Sequence, residues 1–232
     1  MTGKTSKTID QFIHSLKNSP SGPIFNPWWQ TDPENDDYSN APEVRRYQLM
    51  YYLKERMGRT RYLLIGEALG YQGGHFTGIA MTSERILLGN LVKKGIKPEH
   101  VFTTLEPART SKASVRKDGF SEPTATIVWG HLLELGIDPY DFTIWNALPW
   151  HPYQQSRGLL SNRTPTQKEF ELGLERLQDL IRLMKPQQIV AVGEKAAVQL
   201  DKIGLKHQKV RHPANGGAGK FREQFAALLN AN

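Results

Sequence analysis

The chain contains no cysteine. That excludes disulfides, thiolate metal sites, iron–sulfur clusters and a cysteine nucleophile together, and it fits a reducing, cytoplasmic compartment. No apolar run approaches the roughly 18 residues a membrane helix needs. Residues 1–18 hold no apolar stretch of the signal-peptide kind, so no secretory leader is expected. No segment repeats at a solenoid period. The seven histidines never take the H-x-x-x-H or H-E-x-x-H spacing, which leaves no metal motif. The glycines between 66 and 74 are not followed by G-K-[ST], so the signature of a nucleoside triphosphate loop is missing.

The composition that remains is that of a globular protein. The 232 residues are 38% hydrophobic and 23% charged, which fits one domain spanning 1–232, with 1–58 as an N-terminal helical extension packed on it. Lysine and arginine number 30 against 23 acids, a net charge of +7. A basic surplus favours a polyanionic partner such as DNA. No cofactor or metal is called for, and a monomer is the expectation.

Hydrophobic periodicity predicts an α/β chain. Ile9, Phe12, Ile13 and Leu16 mark an amphipathic helix. A proline-interrupted stretch from 19 to 42 holds Asp32, Glu34, Asp36 and Asp37, which read as a solvated acidic loop. Pro42 opens a helix with Val44, Tyr47 and Tyr51 on its inner side. Tyr62–Ile65, Phe142–Trp145, Ile189–Val192 and Gln208–Arg211 read as strands, and Val101–Thr104 as a further candidate. Thr82 is placed as the cap of a helix carrying Ile86, Leu87, Asn90 and Leu91. Residues 106–121, with Arg109, Lys112, Arg116 and Lys117, read as an exposed basic loop. Pro123 starts a helix that ends at Gly136, Thr166 caps a long one, and Phe221, Phe225 and Leu228 belong to the last. Strands alternating with helices imply a three-layer α/β/α sandwich around a mainly parallel sheet.

Polar residues fall where such a sheet binds ligands. Glu67, Asn146 and His212 each lie at the C-terminal end of a separate strand, the edge at which open α/β sheets form their crevice. His151-Pro152 is a second His-Pro pair, read as structural or as part of a pocket rim. The five tryptophans read as core or loop anchors.

Gly66-Glu67-Ala68-Leu69-Gly70, then Asn146, then His212-Pro213-Ala214, resemble in order and separation the motifs of the uracil-DNA glycosylase superfamily. The resemblance runs from about residue 60 to the C-terminus. The first motif is most similar to the G-E-A-P-G of the thermostable, iron–sulfur-containing branch, and the last to the H-P-S or H-P-A motif. The resemblance implies a DNA glycosylase that flips a pyrimidine out of the duplex, uracil by default, and hydrolyses its N-glycosidic bond to leave an abasic site, as in base-excision DNA repair. It implies Glu67 and His212 as catalytic residues, and Ala68, Leu69, Gly70, Phe76, Met81 and Asn146 as the base-binding set. Ser83, Arg211, Asn215, Lys220 and Arg222 are the implied DNA contacts.

The departures are specific. Leu69 stands where the family has proline, Met81 stands at the position of its stacking phenylalanine, and Phe76 lies nearby as a substitute. The cluster cysteines are absent. The loop Asn215–Gly219 lacks a large apolar wedge. A roomier pocket makes a bulky modified cytosine in foreign DNA, a phage-defence substrate, the alternative. A catalytically inactive DNA-binding module of the same fold is the other.

Overall fold

Apolar runs alternating with amphipathic helices pack well in one way: the runs align as parallel strands and the helices cover them. The computed structural model, which describes residues 8–230, has this arrangement. The ends of the expected domain, 1–7 and 231–232, lie outside the described residues. The strands in chain order are β1 (Ile24–Phe25), β2 (Tyr62–Ala68), β3 (Phe142–Leu148), β4 (His151–Pro152), β5 (Gln188–Val192) and β6 (Gln208–Val210). Four of them form a sheet in the order β3-β2-β5-β6, parallel throughout. Leu63, Leu64, Ile144 and Val190 are fully buried, as strands covered on both faces must be.

Helices flank this sheet. The longer ones are α1 (Ile9–Ser15), α2 (Ala41–Lys54), α5 (Pro123–Glu134), α6 (Gln167–Met184), α7 (Glu194–Lys202) and α8 (Ala218–Asn230), while α3 (Gly74–Thr77) and α4 (Glu84–Leu87) are single turns in the connection after β2. Thr166 and Glu169 close a reciprocal capping box on α6, satisfying two donors that a helix start leaves open. Gly173 lets α6 lie against β3, since a side-chain carbon there would sit 2.3 Å from the Ala147 carbonyl oxygen. Phe12, Leu16, Leu49 and Tyr52, from α1, α2 and the residue capping α1, join Leu64 and Trp145 in one hydrophobic cluster.

Several expectations are corrected. Val101–Thr104 is not a strand: the backbone N–H groups of Thr103 and Thr104 donate to the Glu55 carboxylate instead of to a neighbouring strand. The helix expected from Thr82 is one turn, because Gly89 turns the chain with φ of +74°. Its N-cap is Ser83, and Thr82 Oγ1 donates to the Ala80 carbonyl. On α2 the inner side is Arg45, Gln48, Leu49 and Tyr52, while Tyr47 is exposed. Periodicity alone put that face one residue out, because the buried arginine and glutamine are polar and give no apolar signal.

The acidic loop is not solvated as a whole. Asp32 and Asp36 are buried; Asp36 pairs with Arg45, and Asp32 meets His75 Nε2 at 3.0 Å. The 106–121 segment is likewise anchored, since the N–H groups of Thr110, Ser111 and Phe120 all donate to the buried Glu84 carboxylate. Within it, Arg109 donates to the carbonyls of Ser111 and Lys117, so its guanidinium braces the loop. β1, inside the proline-interrupted stretch, and β4 pair antiparallel with Phe25 opposite His151. That ladder ties the loop after β3 to the N-terminal segment.

Candidate active site

The register of the sheet brings the first two site residues together. Gly66 on β2 lies directly opposite Asn146 on β3. A side-chain carbon on Gly66 would fall 2.5 Å from Asn146 Oδ1 and 2.2 Å from Met81 Cε. The glycine is therefore needed for space: the amide of Asn146 and the thioether end of Met81 both lie across it. Asn146 and Met81 are nearly buried, and Asn146 Oδ1 has no hydrogen-bond partner. Met81 holds φ of 44°, a left-handed conformation uncommon for its type. Its carbonyl accepts from Trp129 Nε1 at 3.1 Å, a buried bond that holds the turn in place.

Glu67 and Asn146 are both within their strands, one and two residues before the strand ends. Glu67 is partly exposed and pairs with Lys195 Nζ of α7 at 3.0 Å, and the same ammonium donates to Thr164 Oγ1. His212 lies two residues past β6 and packs on Gly193, where a side-chain carbon would come within 2.9 Å of His212 Cβ. Its Nδ1 accepts the Ala214 N–H at 3.1 Å. The neutral ring consequently carries its proton on Nε2. Burial, with Arg211 and Lys195 adding positive charge, lowers the His212 pKa below its ordinary value, which favours that neutral form at pH 7.

Glu67, Ala68, Leu69, Gly70, Met81, Asn146 and His212 all line one cavity of about 270 Å³. Leu69, where the resemblance leads one to expect proline, donates its N–H to the Leu148 carbonyl. Proline has no such proton, so leucine extends the β2–β3 ladder into the pocket rim. Its side chain lies over Gly74, whose missing carbon leaves the room. Phe76 is the exception in the base-binding set: it is fully buried and stacks on Phe120 at 4.1 Å, away from the cavity lining. Ser83 is fully buried, so its hydroxyl faces no solvent-borne ligand. Arg211, Asn215, Lys220 and Arg222 are all exposed on or after the turn that carries His212.

The cavity also has walls the motif reading did not include. Pro152, Asn162, Arg163, Glu122 and Thr124 complete it. Arg163 is held by a two-pronged pair to Glu169 at 2.6 and 2.8 Å. Pro152 gives the second His-Pro pair its rim position, while His151 is fully buried behind it. Glu122 reads from sequence as a helix-start residue, and no spacing marks it otherwise. A larger hollow of about 740 Å³, bounded by Ile9, Met50, Met57 and Leu183, brings together no comparable set of convergent polar groups. The smaller cavity combines a carboxylate, an unpaired buried amide and an imidazole donor, the combination that marks a site of chemistry.

Among the described residues no helix is long and apolar enough to cross a membrane. A family model described as the uracil DNA glycosylase superfamily matches residues 55–231. Comparison with curated proteins finds no match. Among solved structures the chain is similar to wild-type SMUG2 of Pedobacter heparinus, with a TM-score of 0.61 and 15% identity, over 96% of this chain and 97% of that one.

Proposed function

The chain belongs to the uracil DNA glycosylase superfamily, and on that premise we propose that it is a monofunctional DNA N-glycosylase that removes an extruded pyrimidine, uracil by default. The observation that carries this reading is the convergence of Glu67, Asn146 and His212 on one cavity, with Asn146 Oδ1 unpaired. The cavity corresponds to about nine water volumes at roughly 30 Å³ each, room for one pyrimidine ring. Entry to it requires the base to leave the stack.

The chemistry follows from the donors available. Breaking the bond between C1′ and N1 sends its electron pair into the base and leaves oxocarbenium character on the sugar. His212, neutral and with Nε2–H free, donates to the base oxygen on which the negative charge grows. The Asn146 amide offers a donor and an acceptor together, which matches an imide edge where a carbonyl oxygen adjoins an N–H. Glu67 supplies negative charge beside the sugar cation and orients the water that adds to C1′, taking up its proton. The route needs no amine nucleophile, so release leaves an abasic site with the strand intact. Arg211, Asn215, Lys220 and Arg222 form the phosphate-facing rim. Nothing in the pocket favours a bulky cytosine of foreign DNA over uracil.

A base-release assay tests this, on single- and double-stranded oligonucleotides carrying uracil, mismatched thymine, hypoxanthine or modified cytosines. Uracil release that is lost in His212→Ala and Asn146→Ala is the expected result. Binding to DNA with no release from any member of the panel would overturn it and leave the inactive-module reading.

A further inference from the structure

Glu122 occupies the N-cap position of α5, yet its side chain makes no cap hydrogen bond. It turns away from the helix start, where a carboxylate is favoured by the backbone amides and the dipole, and lines the cavity that holds Glu67, Asn146 and His212. The residue as a whole is partly exposed, but Oε2 is closed off from solvent and has no hydrogen-bond partner. The carboxyl sits in the bend of the loop Gly70–Gly74. A side-chain carbon on Gly73 would fall 1.7 Å from Oε2, and one on Gly70 would be 3.9 Å from Oε1. Gly73 thus leaves the space that the carboxyl fills. A buried carboxyl oxygen without a partner is costly, and the fold recovers none of that cost in hydrogen bonds to Oε2.

We propose that Glu122 is a specificity-determining residue that hydrogen-bonds the extruded base from the side of the pocket facing the glycine-rich loop. This rests on the glycosylase reading above and extends it to a residue outside the motifs. Burial alone raises the Glu122 pKa to about 7. The charged groups around it are committed elsewhere: Glu67 on β2 to Lys195, Arg163 before α6 to Glu169, and His75 on α3 to Asp32 and His151. His212 faces the same cavity and is held below its ordinary pKa. No cation therefore opposes the neutral form of Glu122. A neutral carboxyl offers one O–H donor and one carbonyl acceptor, a pair complementary to the edge of a pyrimidine. Once ionised it presents acceptors only and repels the carbonyl oxygens of uracil.

The test follows affinity and turnover against pH on the full chain. The ligand is an oligonucleotide with one 2′-fluoro-2′-deoxyuridine, whose fluorine slows bond cleavage so that binding is read alone. Turnover uses the same sequence with deoxyuridine. In the native protein, affinity falls about tenfold between pH 6 and pH 8, as expected for a group near 7 that must be protonated. Glu122→Gln, which keeps a donor and an acceptor but cannot ionise, binds a few-fold more weakly at pH 6 and loses that fall. Gly73→Ala, whose added carbon displaces the carboxyl, loses the fall as well and guards against a folding artefact in the first variant. An identical pH dependence in native and Glu122→Gln protein would overturn the proposal. So would unchanged binding with turnover abolished at every pH in Glu122→Gln, which would make Glu122 an ionised base. If the native protein releases no base while the Glu122-dependent binding difference persists, the glycosylase reading fails and this inference stands.

Discussion

The loop after β2 touches two sets of buried polar groups, and the fold treats them oppositely. On one side, His75 belongs to a network in which each charged group has a partner. His151 Nε2 donates to the Ser161 carbonyl at 2.7 Å, His151 Nδ1 lies 3.0 Å from His75 Nδ1, and His75 Nε2 hydrogen-bonds Asp32 Oδ2 at 3.0 Å. Arg45 pairs with Asp36, and Glu84 takes three backbone N–H groups. Arg56 places its five donors on the carbonyls of Phe142, Tyr52, Val101, His100 and Pro139. On the other side, Asn146 Oδ1 and Glu122 Oε2 are buried with no partner. Full satisfaction marks polar groups that hold the chain together; an unpaired buried group that also lines the cavity marks one a ligand can partner.

The largest effect should come from breaking the satisfied side. Arg45→Met leaves Asp36 as an uncompensated buried carboxylate, a loss of about 3–5 kcal/mol. Urea unfolding should show the unfolding free energy falling by that amount, while base release per folded molecule stays near native. A variant that folds normally but loses activity would erase the distinction between the two regions.

The unsatisfied side should answer in the reverse sense. Removing the donor in His212→Ala should lower kcat by about 10²–10³, as for other donors aimed at a developing anion. Asn146→Ala deletes an acceptor that native folding leaves unpaired, so its stability should change by less than about 1 kcal/mol while base release is lost. Chemical denaturation beside the release assay separates the two, and a midpoint collapse in Asn146→Ala would mean that the amide is structural after all.

How much of this was legible in the chain follows the same division. The strands and long helices were readable because burial on both faces or on one stripe imposes a period, and Thr166 with Glu169 spells a capping box. Glu67, Asn146 and His212 were readable because they sit at strand ends beside glycine or proline. The buried network was not. Asp32 and Asp36 look like solvated acids until Arg45 and His75, distant in sequence, are folded against them. Phe76 and Ser83 were misplaced for the same reason, since both are fully buried, Phe76 against Phe120, and neither lines the cavity. Glu122 carried no signal, because its meaning lies in a bond it does not make.

A third prediction concerns that missing bond. Glu122 has a folded pKa of about 7 against a reference of 4.5, so the folded state holds the proton more tightly than the unfolded one. The stability linked to it is fully present below about pH 4.5 and is lost as pH rises through about 7. Glu122→Gln cannot ionise, so it should be more stable than the native protein at pH 8, by roughly 1–2 kcal/mol, and no more stable at pH 4.5. Thermal melts at the two pH values decide it; an equal gain at both would mean the carboxyl is not buried in its charged form.

The smallest effect lies at the exposed edge between the two behaviours. Lys195 pairs with Glu67 and is more than half exposed, so Lys195→Met should change stability by under about 1 kcal/mol. Its cation, after burial and Arg211, is one of the causes that hold the His212 pKa down. Without it His212 takes up a proton at higher pH. Protonation places an N–H on Nδ1 facing the Ala214 N–H, which breaks the turn that aims Nε2 at the base. The acid limb of the base-release profile should therefore move to higher pH, with activity at pH 8 reduced only modestly. Because surface charges are screened by salt, the shift should shrink as ionic strength rises, and a salt-independent displacement would place Lys195 deeper in the mechanism than its exposure allows.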